Sequence, residues 1–298
     1  AIIRDTNPDP FETSLTQIDP RPLTKPTMEL WDYEGHDPFA PFCLHFTSGS
    51  TGEPKGVLNH HHGILNEALF IIEELKIRPG DRILQFAPLG FDASMEEILS
   101  CLLGGATLVP RNEDILEGFD RLHLFIQTNE ITIVDLPTAF WSSWSAWLAQ
   151  RRESPPEPLR AVVIGGEKAN ASATEAWLAA ARGRVPVLNT YGPTETSIIA
   201  TSARLRKHAG GGDPAIGRPI AGMGARLMDP LGRPAAPGCV GEIMLAGCGV
   251  GLGYLNNPNA TAAAFFLNPE TNRPAWYRTG DLARRDGRGD LHYIARTD

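Results

Sequence analysis

Cysteine is scarce in this chain of 298 residues: there are four, Cys43, Cys101, Cys239 and Cys248, and no C-x-x-C pair. That spacing supplies neither a thiolate metal motif nor a disulfide framework, and the four read as reduced, small apolar residues of a cytoplasmic protein. No apolar run reaches the ~20 residues a membrane-spanning helix needs. The N-terminus also lacks the basic, apolar, small-residue order of a signal peptide. Basic charge is not in excess: 27 Lys and Arg stand against 35 Asp and Glu, a formal net charge of −8. That balance argues against nucleic acid or an anionic membrane as a partner. Apart from the triplet Gly210–Gly212 there is no low-complexity segment, and there are no internal repeats.

What is present suits a large core and two packed units. Residues 1–40 are proline-rich and aperiodic, a connector or partial N-terminal region. The last residues stop at a charged turn, and the chain reads as a piece cut at both ends. From 41 to 207, strand-like and helix-like segments alternate. "APFCLHFT", "RILQFAPL", "ATLVP", "ITIVDLP", "LRAVVIGGE" and "VPVLNTYGPTE" are the expected strands. "HHGILNEALFIIEELKI", "SMEEILSCLLGG", "TAFWSSWSAWLAQRR" and "SATEAWLAAARG" are the expected helices. This predicts an α/β fold with parallel-rich sheets covered by helices. From 208 to 295, short runs such as "GARLMD", "GEIMLAG", "AWYRTGDLARR" and "GDLHYIAR" sit between Gly and Pro turns. They predict a small β-rich subdomain, a distorted β-barrel.

Three loops carry the chemistry. "FTSGSTGEPKGV" (Phe46–Val57) packs hydroxyls and flexible glycines around Lys55, an anion-binding composition that departs from the G-x-x-x-x-G-K-[ST] phosphate loop. A surface turn accounts for this loop as well. "NTYGPTETS" (Asn189–Ser197) combines an aromatic, a tight turn, hydroxyls and a carboxylate: Tyr191 could stack on a base, Thr194 touch a phosphate and Glu195 hold Mg²⁺. "YRTGDL" places Asp281 after a glycine at an expected strand end, where a carboxylate can accept both hydroxyls of a ribose. Each of these two taken singly is better read as a structural turn; together and in this order they are specific.

With "FDAS", "GGE" and "GEIMLAGCGVGLGY" between them, these motifs follow the order of a known family. From about Pro41 to Asp298 the sequence resembles the adenylate-forming (ANL) superfamily, and most of all the amino-acid adenylation domains of nonribosomal peptide synthetases. The resemblance implies an ATP-dependent ligase that joins a carboxylate to AMP with release of pyrophosphate. The acyl group then passes to the phosphopantetheine thiol of a carrier domain. It implies that Thr47, Ser48, Gly49, Ser50, Thr51, Gly52 and Lys55 grip the β- and γ-phosphates. Gly166 and Glu167 would line the adenine side and Tyr191 would stack on the ring. Thr194 would meet the α-phosphate, Glu195 the magnesium, and Asp281 and Arg296 the ribose. Residues 296–298 would be the hinge to a C-terminal lid, with Ala295 where the family usually has glycine. The lid, with its adenylation lysine, would lie beyond Asp298, so the fragment alone is expected to be a poor catalyst.

The same resemblance puts Asp92, Ala93, Glu96, Asp135, Val163, Gly165, Thr190, Ile198 and Ile199 in the walls of the substrate pocket, with Asp92 on the α-ammonium of an amino acid. An acyl- or aryl-CoA ligase is the alternative within this chemistry, and Asp92 argues against it. Outside enzymes, the alternative is a lidless nucleotide-binding scaffold. Glu96 and Asp135 add two anions to a small apolar pocket, and unpaired buried charge is strongly unfavourable. They therefore point to a basic side chain: lysine, ornithine or a β-lysine-like amino acid. Asp135 accepting from an amide would make glutamine the substrate instead, and Glu96 solvated on its helix face, or paired with a nearby basic group, would be neutral in the choice.

Two conspicuous features read as structural. His60–His62 are adjacent and cannot all face one ion. Trp141, Trp144 and Trp147 drift around one helix face at i, i+3 and i+6 and suit packing better than base stacking.

Overall fold

The structure, a computed structural model, describes residue 35 and residues 37–47, 54–207 and 212–297. The expected connector, most of the glycine-rich loop and Asp298 therefore lie outside the described residues. Strand β1 (Pro41–Thr47) pairs antiparallel with β2 (Lys55–His60). His60 then caps α1 (His61–Leu75): its Nδ1 accepts from the Gly63 amide at 3.0 Å. The α/β part continues as β3 (Arg82–Gln85), α2 (Ala93–Leu103), β4 (Thr107–Pro110), α3 (Phe119–Thr128), β5 (Ile133–Pro137) and α4 (Thr138–Arg151). It goes on through β6 (Ala161–Gly165), α5 (Ala171–Ala181), β7 (Val187–Tyr191), β8 (Thr201–Arg204) and β9 (Arg218–Pro219).

These strands form a seven-stranded sheet in the order β4-β3-β5-β6-β7-β8-β9, parallel up to β7 and antiparallel beyond it. The near-continuous apolar runs of β5 and β6 are what a strand covered on both faces requires. Alternation splits them between two cores. Val134, Leu136, Val162 and Ile164 face a core holding Trp141, Trp144 and Trp177. Ile133, Ala161 and Val163 face one holding Ile64 and Ile71 of α1 and Cys101 of α2. Trp141 and Trp144 are fully buried, and Trp144 Nε1 donates to His123 Nε2 at 2.9 Å, so the tryptophans are packing residues.

The β-rich part comprises β10 (Met223–Met228), β11 (Val240–Gly247), β12 (Gly253–Tyr254), α6 (Pro258–Ala264), β13 (Phe265–Leu267), β14 (Pro274–Arg285) and β15 (Leu291–Arg296). Strands β10-β11-β14-β13, with β15 on β14, make an antiparallel sheet, while β12 joins β1 and β2. Among the described residues no hydrogen-bonded strand pairing closes this sheet into a barrel. The described residues from Pro38 onward belong to one compact unit. No helix among the described residues is long and apolar enough to cross a membrane.

One ion pair ties the α/β layers together. Arg160, just before β6, clasps Asp81 through Nε (2.7 Å) and Nη2 (2.8 Å), and its Nη1 donates to the carbonyl of Leu75 at the end of α1 (2.7 Å). Burial opposes ionisation of Asp81. Hydrogen bonds from Arg160, Thr132 and the Arg78 amide, with the Arg160 charge, outweigh it and hold the carboxyl below its ordinary value. Arg160→Ala leaves the carboxylate buried and should lose roughly 3 kcal/mol, near the low end for such pairs because Arg160 remains partly exposed. Because the folded value is lowered, this contribution is present above about pH 4 and is lost as the pH falls through the folded value. Urea melts of both proteins at pH 7 and pH 3 check this: the gap should be wide at the first and shrink at the second.

Candidate active site

In a sheet of this kind, ligands gather beyond the carboxyl ends of the parallel strands. The loops after β3, β6 and β7 do converge there, opposite β1–β2 and β14–β15. Between them lies a cleft of about 920 Å³. Of the residues singled out in the sequence, Thr47, Lys55, Asp92, Gly166, Thr194, Glu195 and Arg296 line it. Gly166 has φ +80°, a backbone conformation that β-carbon-bearing residues rarely adopt, and this turns the loop after β6 across the cleft mouth. Gly192 is required for a different reason: an added Cβ would lie 2.4 Å from the Ile198 carbonyl oxygen, so the "YGPTE" turn can fold tightly only with glycine.

Asp281, buried within β14, and Tyr191 are not in the lining; they lie behind the end of the cleft that Gly280 and Arg296 line. Asp281 Oδ2 accepts from Tyr191 Oη at 2.7 Å and its Oδ1 from Arg296 Nη1 at 3.4 Å. Burial, followed by the charge of Asp281 and the hydrogen bond to it, raises the Tyr191 phenol well above its ordinary value and keeps it a donor. The expected strand end at Asp281 is instead the interior of twelve-residue β14. The pairing register with β15 slips just after it, between Leu282 and Ala283, and Gly280 takes φ +73°.

At the centre, Thr194 Oγ1 donates to Asp92 Oδ2, while Asp92 Oδ1 caps α2 by accepting from the Ala93 amide at 2.9 Å. Asn59, fully buried in β2, anchors this loop by donating to the Thr194 carbonyl at 2.9 Å. Glu195 accepts from Tyr254 Oη at 2.7 Å, and Lys55 Nζ stands 5.3 Å from the centre of the Tyr254 ring. Burial comes first and the Glu195 charge second in raising the Tyr254 phenol. Glu195, which lines the open polar cleft with Asp92 and Glu242, suits Mg²⁺, which keeps waters and takes its other ligands from phosphates. Among the described residues no group of three or more His, Cys, Asp or Glu is placed to hold a metal ion by itself. Of the three histidines, His60 and His62 gather around Phe39 with ring centroids 6.3 Å apart, His60 Nε2 meeting the Val250 carbonyl, while His61 packs edge-on against Phe42.

Phe91, Asp92 and Gly166 also line a second cavity of about 340 Å³, which opens between α2 and the ends of β5, β6 and β7. Ala93, Glu96, Asp135, Gly165, Glu167, Thr190 and Ile198 are in its walls. Gly165 keeps it open at one point, since a Cβ there would lie 2.7 Å from Thr190 Oγ1. Thr190 in turn donates to the Ile164 carbonyl. Val163 and Ile199 are not in the lining; both are packed into the core behind it, with Leu188 and Ile133. Glu167 is exposed at the rim.

The acid content of this pocket exceeds the sequence reading. Glu96 is 3 % exposed and its Oε1 has no hydrogen-bond partner; Asp135 Oδ2 has none either. Burial, then the charges of Asp135, Glu67, Glu97 and Asp92, raises the Glu96 carboxyl well above its ordinary value. Burial pushes Asp135 up to about 7, with the Asp92 charge adding to the rise and a backbone hydrogen bond opposing it. Glu97, also in the wall, differs: its carboxylate accepts from the Phe86 and Ala87 amides at 2.9 and 3.1 Å, so it is a structural brace for the loop after β3.

Ser48, Gly49, Ser50, Thr51 and Gly52 lie outside the described residues. Sequence reasoning missed Asn59, Tyr254 and Glu97 as site residues. Tyr254 stood inside a motif that had been recognised only by its order, and Asn59 and Glu97 act through contacts more than ten residues away in sequence.

Residues 5–255 match the family model described as AMP-binding enzyme. Novobiocin biosynthesis protein H of Streptomyces niveus is 38% identical over 277 residues, 92% of this chain and 44% of that protein. Bacitracin synthase 3 of Bacillus licheniformis is 36% identical over 85% of this chain but only 4% of its own length. The chain thus spans less than half the length of these curated relatives. Among solved structures, the Vibrio cholerae adenylation domain AlmE in complex with glycyl-adenosine-5'-phosphate superposes with TM-score 0.75 at 28% identity, covering 88% of this chain and 49% of that one. PA1221, described as an NRPS protein containing adenylation and PCP domains, gives TM-score 0.76 at 29% identity over 88% and 52%. The α/β fold is that of the adenylation-domain N-terminal subdomain, and the chain belongs to the AMP-binding enzyme family.

Proposed function

We propose that the protein to which this chain belongs activates an amino acid with a basic side chain as its adenylate, and hands the aminoacyl group to a phosphopantetheine-bearing carrier. The observation that carries this is the junction at Asp92. One carboxylate borders both a polar cleft of nucleotide size and a side pocket in which Glu96 and Asp135 have unpartnered oxygens and no cation beside them. Relatives described as peptide and antibiotic synthases, and a neighbour carrying both adenylation and PCP domains, support the same reading.

In this mechanism Asp92 takes the ammonium group, which aims the substrate carboxylate at the α-phosphorus of ATP in the cleft. A carboxylate oxygen forms the new bond to phosphorus, the bond from phosphorus to the bridging oxygen breaks, and pyrophosphate leaves. Asp281 and Arg296 hold the ribose, Gly166 and Glu167 border the adenine, and Tyr191 packs on the ring while its hydroxyl braces Asp281. Thr194 donates to the α-phosphate, whose charge grows in the transition state; donors fixed beforehand are worth most there. Thr47 and Lys55, with the hydroxyls and amides of residues 48–52, hold the departing pyrophosphate. Glu195 would hold Mg²⁺, which when bound neutralises phosphate charge; Tyr254 fixes the orientation of that carboxylate. The division into an α/β subdomain (41–207), a β-rich subdomain (208–295) and a hinge (296–298) belongs to this proposal, since the family's lid would rotate about that hinge.

Glu96 and Asp135 would meet the cationic end of the side chain. Glu96→Gln should lower kcat/KM for the basic substrate roughly 10- to 100-fold, as expected on removing one partner of a buried charge pair. Kinetics with lysine, ornithine and glutamine side by side check this, and an unmoved preference would take Glu96 out of the recognition.

A further inference from the structure

Glu67 has no place in the site as described so far. It lies on the buried face of α1 with Ile64 and Ile71, in the layer where α1 packs on α2, and it is 1 % exposed. Neither of its carboxylate oxygens has a hydrogen-bond partner. A lone acid in such a layer is strongly disfavoured when ionised, and leucine would serve the packing better. Glu67 is not part of the pocket lining, but it is close enough to the pocket acids Asp135, Asp92 and Glu96 for their charges to interact. Burial first, then the charges of Asp135 and Asp92, raises its carboxyl well above the ordinary value, and Glu67 in turn acts on Glu96.

The groups facing this layer are Asp92, Glu96 and Glu97 around α2, Asp135 of β5 and Cys43 of β1. The Cys43 thiol is pushed up to about 11 by burial and then by Asp92. Every charged side chain that acts on Glu67 or Glu96 is itself a carboxylate. Among the described residues no three such groups are placed to chelate a metal ion, so their spread suits an organic cation reaching along the pocket.

We propose that Glu67, Glu96 and Asp135 act together as one buried acid trio, coupled through space rather than by hydrogen bonds, and that Glu67 strengthens selection for a cationic side chain by acting through the other two. In the empty pocket the trio retains protons because three neighbouring anions cannot all ionise in a dry space. When an ammonium group enters the pocket, a carboxyl of the trio gives up its proton to solvent and the remaining charges pair. A neutral side chain induces no such release. Glu67 is thus a positioning and specificity-determining residue rather than a substrate contact.

This inference rests on the amino-acid adenylation reading, and the experiment separates the two. Full-length wild type and Glu67→Gln are compared in ATP–pyrophosphate exchange with lysine, ornithine, β-lysine and the neutral isostere norleucine. The same amino acids are titrated calorimetrically in two buffers of different ionisation enthalpy. In Glu67→Gln the ratio of kcat/KM for the best cationic substrate to that for norleucine should fall about tenfold. The loss should lie in KM, with kcat and the KM for ATP retained. Proton release on binding the cationic substrate should fall, Glu67→Asp should recover part of both effects, and the apo protein should melt no lower. A ratio unmoved within twofold, or proton release equal to wild type, overturns the role of Glu67 alone. If the wild type accepts none of the three cationic amino acids, the basic-substrate reading falls, and the role of Glu67 with it.

Discussion

Asp92→Ala is expected to lower kcat/KM for the amino acid by about 10²- to 10³-fold, because removing the partner of a desolvated ammonium costs roughly 3–4 kcal/mol. Two other tasks of Asp92 would be lost as well. Its Oδ1 caps α2 and its Oδ2 holds Thr194, so a stability loss of about 1 kcal/mol should accompany the change. Asp92→Asn separates these effects: the amide oxygen can still cap the helix, but the charge is gone. It should melt close to wild type and still lose most of its activity, with the KM for ATP little changed. Steady-state exchange kinetics and thermal melts on the same preparations read out both. Full activity in Asp92→Asn would mean that the ammonium is held elsewhere, and the pocket assignment would have to be abandoned.

The second large effect is expected at Asp281. Its side chain is the acceptor for Tyr191 and lies beside Arg296, at the end of the cleft assigned to the ribose. Hydrogen bonds to a charged acceptor contribute about 1.5–3 kcal/mol each, so Asp281→Ala should raise the KM for ATP roughly 10- to 100-fold. Deoxygenated nucleotides sharpen the test. Wild type should discriminate against 2'-deoxyATP, whereas in Asp281→Ala the two nucleotides should converge. Persisting discrimination in the variant would place the ribose hydroxyls on another group.

Strand–helix alternation made the parallel sheet legible in the sequence, because strands buried on both faces are continuous apolar runs and the covering helices repeat at 3.6 residues. The helix ending at Gly104 and the burial of the tryptophans are of the same local kind. Helix α3 escaped because only Leu122 and Ile126 of its ten residues are buried, too few to set a period. Short strands β12 and β13 escaped because two or three residues carry no alternation, and their pairing is decided by partners far along the chain.

The site shows the same division. Asp92, Thr194, Glu195 and Asp281 were singled out through motif order, and the first three line the cleft. What each one touches was not, since the Asp92–Thr194 contact joins residues 102 apart. Glu67 is the clearest case. Its spacing from Ile64 and Ile71 puts it on the apolar face of α1, but a charged residue read by type alone belongs to the solvent face. Only the tertiary fold shows that it is dry and close enough to other acids for their charges to interact.

The central claim is that the full-length protein forms an aminoacyl adenylate from an amino acid bearing a basic side chain. ATP–pyrophosphate exchange on that protein, run with Mg²⁺ across lysine, ornithine, β-lysine, glutamine and neutral and aromatic amino acids, measures this directly. The account predicts exchange that requires a basic amino acid and is strongest with one of the first three. No exchange with any amino acid, or exchange confined to neutral and aromatic ones, would contradict it.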